Sequence, residues 1–293
     1  SGNLYFCNNN SSLRELFYGA CVGGYIEIVN LMIQKGVIEW NYGLRYACKG
    51  GYIKIINLMI QKGANNWNYG LLGACEGGNI NAIKMMIEKG ANKWDWGLSG
   101  ACKGGNMEIV KMMIEKGADN WDDGLLEACE SGYIEIVKLM IEKGANNWND
   151  GISEACKNNH TYIVELIIDK CDECDEYFDK CLNYAFKNEN VEIANMIIDR
   201  NINDIDWLEF LPNACKSKNI KIIELMIEKG FDDFNSCLYL ACKNKNIEIT
   251  KLMIEKGANN LNEGFVEGCI NGNIEIVKLM IEKGVNNLNL GLY

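Results

Sequence analysis

One dipeptide recurs along the whole chain and sets what it can fold into. Ala-Cys opens at Ala20, Ala47, Ala74, Ala101, Ala128, Ala155, Ala214 and Ala241, with Ala185-Phe186 and Gly268-Cys269 in the same register. The intervals between neighbours are 27 five times, then 30, 29, 27 and 27. A fixed spacing in this range is the mark of stacked structural copies, so the unit to explain is one copy and not one globular core.

Trp121 to Asn147, WDDGLLEACESGYIEIVKLMIEKGANN, is a representative copy. Asn or Asp recurs where the first helix should begin, at Asn41, Asn68, Asp95, Asp122, Asn149, Asp179, Asn235, Asn262 and Asn289, which reads as a helix N-cap. Leu125, Ala128 and Cys129 then share one face of a short first helix. Gly132 supplies a position free to take positive φ, so the chain turns back there. Ile134 to Lys143 predicts a second helix with Ile136, Val137, Met140 and Ile141 in one stripe, closed by Gly144. Neither helix covers its apolar face alone, so the copies must stack. The reading is an all-α chain of about ten helix-turn-helix copies in one repeat domain spanning 1–293. Residues 1–12 form a lead-in, 13–284 the ten copies, and 285–293 the opening of an eleventh. Pro212 falls inside an expected first helix and should shorten or kink it.

The run GLLEACESGYIEIVKLMIEKGAN resembles an ankyrin repeat, in which a TPLH segment, paired small residues, Gly-His, a VV-x-LLL run and Gly-Ala follow in this order. The family repeat is 33 residues, and the six missing here fall where the ankyrin fold carries its β-hairpin finger. The resemblance therefore implies an ankyrin-like α-solenoid lacking the long β-hairpin fingers. TPLH itself is absent. Short Asn-, Ile- and Lys-rich repeats of this kind resemble those of giant DNA viruses of amoebae, which implies a viral protein in the host cytoplasm. The function implied is a non-catalytic scaffold or adaptor that binds another protein.

Composition narrows the partner. A formal charge of -11 and an isoelectric point near 4.8 argue against duplex nucleic acid, which needs a basic footprint. A protein partner with a basic or mixed surface, such as a host factor, is compatible. No run of ~18 apolar residues is present to span a membrane. Nine of the 14 cysteines hold one repeat position, Cys21, Cys48, Cys75, Cys102, Cys129, Cys156, Cys215, Cys242 and Cys269. Equivalent sulfurs in stacked copies should lie about 8 to 10 Å apart, beyond disulfide reach, so they read as core residues in a reducing compartment. No cofactor is expected, and the oligomeric state is left open. A self-assembling array is the rival reading.

Candidate sites follow the register. The ladder Trp40, Trp67, Trp94, Trp121 and Trp148 reads as structural packing on the helix that follows. Two residues further on, copies two to four carry Tyr42, Tyr69 and Trp96, where a solvent-facing aromatic is not required by the fold, and copies five and six switch to Asp123 and Asp150. With Arg45, Tyr46, Glu127 and Glu154 they make a candidate partner-binding edge, aromatic at one end and acidic at the other, because exposed Tyr and Trp supply interface hot spots. The alternative is that the rings fill space left by Gly43, Gly70 and Gly97. Cys171, Cys174 and Cys181 give C-x2-C-x6-C without a second close pair, too little for a zinc site. Phosphate-loop and serine-hydrolase motifs are absent, and the Cys156 and His160 pair is poor ground for a thiol enzyme because Cys156 sits at a core position.

Overall fold

The computed structural model describes residues 10–171, 175–200, 205–217 and 219–285. The expected lead-in up to Asn9, Cys174, and the partial eleventh copy from Asn286 onward lie outside the described residues. Among the described residues there are twenty α-helices, one short 3-10 helix and no strand. The chain divides into two compact units, 1–147 and 148–293.

The first unit holds five helix pairs: Asn10–Gly23 with Ile26–Gln34, Trp40–Gly50 with Ile53–Gln61, Trp67–Glu76 with Ile80–Glu88, Trp94–Gly104 with Met107–Glu115, and Trp121–Ser131 with Ile134–Lys143. In the representative copy most of the apolar stripe expected from the spacing is buried, with Leu125, Ala128 and Cys129 against Ile136, Val137 and Met140, while Ile141 is only half-buried; in copy one Ile28, the equivalent of Ile136, is exposed. Each such buried aliphatic side chain contributes about 1.5–3 kcal/mol on burial. The turn glycines do what their register requires: Gly51, Gly105 and Gly132 close first helices at positive φ.

The recurrent Asn and Asp do not cap their own helix, which corrects the sequence reading. The first helices of copies two to six start one residue earlier, at the Trp, and where a side chain caps one the accepting residue precedes that Trp: Asn66 Oδ1 accepts from Tyr69 N–H, Asn120 Oδ1 from Asp123 N–H. Asn68, one residue inside the helix, instead accepts from Asn92 N–H at 2.8 Å and Lys93 N–H at 2.9 Å, in the connection to the next copy. Asn41, Asp95, Asp122 and Asn235 do the same to the backbone 24 and 25 residues on. The side chain that looks like a cap is a clasp between copies.

A second contact between copies explains the glycines at Gly73, Gly77, Gly100 and Gly104. A methyl group on Gly73 would stand 2.1 Å from the Arg45 carbonyl oxygen, and one on Gly77 only 1.9 Å from that of Lys49. Gly100 and Gly104 meet the Leu72 and Glu76 carbonyls at 2.4 and 2.2 Å in the same way. First helices of copies two, three and four thus pack backbone on backbone.

The second unit holds Trp148–Lys157 with Thr161–Ile167 and the 3-10 turn Ile168–Lys170, Asp175–Lys187 with Val191–Arg200, Trp207–Lys216 with Ile220–Glu228, Phe234–Lys243 with Ile247–Glu255, and Leu261–Ile270 with Ile274–Glu282. Pro212 sits inside Trp207–Lys216, which is ten residues long like its counterparts and so is not shortened. Here the turn glycine is replaced, yet Asn159, Glu189 and Lys245 still take φ of 65°, 58° and 60°. Left-handed backbone costs a residue with a Cβ roughly 1–2 kcal/mol. Lys245→Gly is therefore expected to stabilise the chain by about 1 kcal/mol, read as a higher urea midpoint at unchanged slope.

Candidate partner-binding edge

The third residue of each first helix points away from the core, and in the first unit this position builds a continuous aromatic row. Tyr42 and Tyr69 meet edge to face at 5.3 Å between ring centroids, and Tyr69 and Trp96 at 6.3 Å. Tyr42 and Trp96 remain 45% and 43% exposed, while Tyr69 between them is half-buried. The row extends further than the sequence reading had it. Tyr18 of copy one lies 5.6 Å from Tyr42 and stacks on Tyr46 at 4.8 Å.

The rings do not fill the space beside Gly43, Gly70 and Gly97, and that alternative is overturned. A methyl group on those glycines would meet the sulfurs of Met59, Met86 and Met113 at 2.5, 2.4 and 2.4 Å, so the second-helix methionines already occupy the gap. The aromatic side chains touch one another instead, at the rim.

Arg45 ties the row together. Its guanidinium stands 5.0 Å from the Tyr69 ring centre and 5.8 Å from that of Tyr46. It donates to the Tyr69 hydroxyl at 3.2 Å and to Glu76 at 3.3 Å, while Lys49 holds the other Glu76 oxygen at 2.7 Å. Burial works against the Arg45 charge, but the Tyr69 and Glu76 partners outweigh it and shift the group up. The Tyr42 hydroxyl is likewise shifted up, first by Tyr69. At the outer end Tyr18 donates to Glu39, which also pairs with Arg14 at 2.9 Å. Burial first, then Glu39, raises the Tyr18 hydroxyl well above its ordinary range.

The acidic residues are placed differently. Glu127 accepts from Lys103 at 2.8 Å and from Ser99 at 3.4 Å, and Glu130 shares the same lysine. Asp123 is exposed and takes a 2.6 Å bond from the Asn120 amide. Asp150 and Glu154 belong to the second unit, where both are half-buried and Glu154 pairs with Lys157 at 2.9 Å. Within the first unit the structure brings together Tyr42, Arg45, Tyr46, Tyr69 and Trp96; Glu127 and Glu154 are engaged by lysines of their own chain and Asp123 by Asn120.

The Trp ladder is half-buried at the first helical position, with Lys89, Lys116 and Lys170 over Trp67, Trp94 and Trp148 at 5.9, 5.2 and 5.8 Å. Cys156 is fully buried, and contact with Cys181 followed by burial drives its thiol far above the ordinary range, the opposite of an activated nucleophile. Among the described residues no group of three or more His, Cys, Asp or Glu is arranged to hold a metal ion, and no helix is long and apolar enough to cross a membrane.

The family comparison agrees with this architecture. A family model described as ankyrin repeats (3 copies) matches residues 71–151, 125–206 and 211–289, most of the chain. The crystal structure of the human ASB11 ankyrin repeat domain is similar over 64% of this chain and 99% of that one, at 19% identity and a TM-score of 0.42. No curated protein matches the chain. By the extent of the family match, the chain belongs to the ankyrin-repeat family, whose repeats form a scaffold for protein–protein interaction.

Proposed function

We propose that the chain is a non-catalytic adaptor that captures a protein partner on the aromatic edge of its first unit. The observation that carries this is the row itself. Tyr18, Tyr42, Tyr69 and Trp96 run in ring-to-ring contact on a face whose core packing is already complete without them. Large aromatic side chains held rigid by neighbours, with an arginine between them, are what hot spots consist of. Asp123 and Glu127 extend the edge in the first unit, and Asp150 and Glu154 hold the corresponding positions in the second. A viral origin and a host factor as partner complete the reading; they rest on the Asn-, Ile- and Lys-rich character of the repeats.

The test is capture by cross-linking in a host lysate with mass spectrometry. Replacing Tyr42, Tyr69 and Trp96 together by Ala should abolish capture, since each hot-spot residue is worth about 2 kcal/mol or more, roughly 30-fold in affinity. Tyr162→Ala, at a 75% exposed tyrosine off this edge, should leave it unchanged. Helicity by circular dichroism must match the parent in both. If the triple variant retains every partner, the edge is not the binding surface.

A further inference from the structure

The fourth residue before each Ala-Cys pair is Gly in copies two to six, and its neighbour across the copy boundary is the repeat cysteine before it. A Cβ on Gly70, Gly97, Gly124 or Gly264 would lie 3.4, 3.5, 3.4 and 3.2 Å from the sulfurs of Cys48, Cys75, Cys102 and Cys242. In copies seven and nine this same position is Cys181 and Cys237. A side chain placed there lies against the preceding thiol as well as against the second-helix methionine of its own copy. Cys237 Sγ accordingly lies 3.5 Å from Cys215 Sγ, and Cys181 is hydrogen-bonded to Cys156. All four are fully buried and reduced.

We infer that the second unit carries two thiol pairs, Cys156 with Cys181 and Cys215 with Cys237, each able to close into a disulfide that clamps one first helix to the next. A disulfide joins its sulfurs at about 2.05 Å, so closure of the second pair needs an approach of about 1.5 Å. Both sulfurs of a pair sit on side chains from adjoining first helices, and torsion about Cα–Cβ supplies that movement. The oxidant class is a small uncharged two-electron acceptor such as diamide. Two S–H bonds break, one S–S bond forms, and the two protons and two electrons pass to the azo bond of diamide, which becomes a hydrazine. Burial keeps the pairs reduced in the closed packing, so oxidation proceeds through local opening of a copy. Opposite Cys48, Cys75 and Cys102 of the first unit stand Gly70, Gly97 and Gly124, which bring no second thiol.

The test uses the full chain incubated with diamide a few degrees below its thermal midpoint, then alkylated, digested and mapped by mass spectrometry without reduction. Peptides linked through 156–181 and 215–237 should dominate, and dithiothreitol should dissolve both. Cys181→Gly and Cys237→Gly, which install the residue that other copies carry, should each remove only their own link; Cys181→Ala and Cys237→Ala should repeat the pattern if a glycine variant folds poorly. The oxidised parent should melt at a higher temperature than the reduced one. Links among the equivalent repeat cysteines, links of Cys171 in place of Cys181, or full alkylation of all four thiols while a urea-unfolded sample oxidises, would each overturn the assignment.

Discussion

Taking the pH from 7 to 11 is expected to unfold this chain, with the loss beginning near pH 9. Burial pushes the thiols of Cys21, Cys48, Cys75 and Cys102 up to about 12 from an ordinary 9.0, with Cys75 adding to the effect on Cys48 and Glu127 to that on Cys102. Cys242 in the second unit is pushed up to about 11, again chiefly by burial. A group whose folded pKa lies above its unfolded value favours the native state fully below the unfolded value. That contribution is then lost as pH rises from about 9 toward about 12, because only the unfolded chain releases the proton there. Each thiol removes about 1.4 kcal/mol per pH unit in this window, so four remove about 5–6 kcal/mol per unit. A native state worth about 5–15 kcal/mol does not survive much beyond pH 11. Urea midpoints at pH 7, 9, 10 and 10.5 check the slope. Replacing Cys48 and Cys75 by Ala should take about 3 kcal/mol per pH unit off it; an unchanged slope would place the alkaline loss on lysine or tyrosine instead.

The second large effect is mechanical. Gly77→Ala should destabilise the chain by about 3 kcal/mol or more, at the upper end of what overpacking costs. The new methyl group would sit 1.9 Å from the Lys49 carbonyl oxygen, and a backbone atom in a packed helix cannot swing aside as a methionine can. Helices Trp40–Gly50 and Trp67–Glu76 would have to part by more than an ångström. That also pulls Tyr42 from Tyr69, so partner capture should weaken with stability. Gly19→Ala is the control, since its Cβ meets nothing within 4 Å on a helix. There the same chemical change should stabilise by about 1 kcal/mol through helix propensity. Thermal and urea unfolding of both variants decide the matter, and equal effects from the two would remove close backbone approach as the cause.

Most of the architecture was readable from the period. A spacing of 27 with two apolar stripes fixes the helix pairs, and Ile134–Lys143 falls where the pattern put it. What misled was the clasp. Asn41 and its equivalents resemble N-caps because the same carboxamide accepts backbone N–H groups in either role, and only three-dimensional stacking shows that the donors lie 24 residues on. Tyr18 escaped notice for a related reason: it stands at the register of Arg45, not of Tyr42, and reaches the aromatic row from a different position on its helix. The thiol pairs were hidden because the sequence comparison aligned cysteines with their equivalents, whereas the contacts join non-equivalent positions. A Gly-to-Cys change four residues before Ala-Cys was the available signal. The candidate edge was legible at its aromatic end, where nothing in the fold called for a ring, and less so at the acidic end, where lysines of the same chain answer the charge.

The clasp also gives the array a direction. Each clasping side chain, an amide at Asn41, Asn68 and Asn235 and a carboxylate at Asp95 and Asp122, belongs to a helix already in place and grips the backbone that follows it, so such a copy presents a prepared seat for the segment not yet docked. At these five junctions growth toward the C-terminus meets a waiting oxygen that takes two backbone N–H groups, while growth the other way must supply that oxygen itself. A chain of this kind is suited to being laid down in the order in which the ribosome releases it.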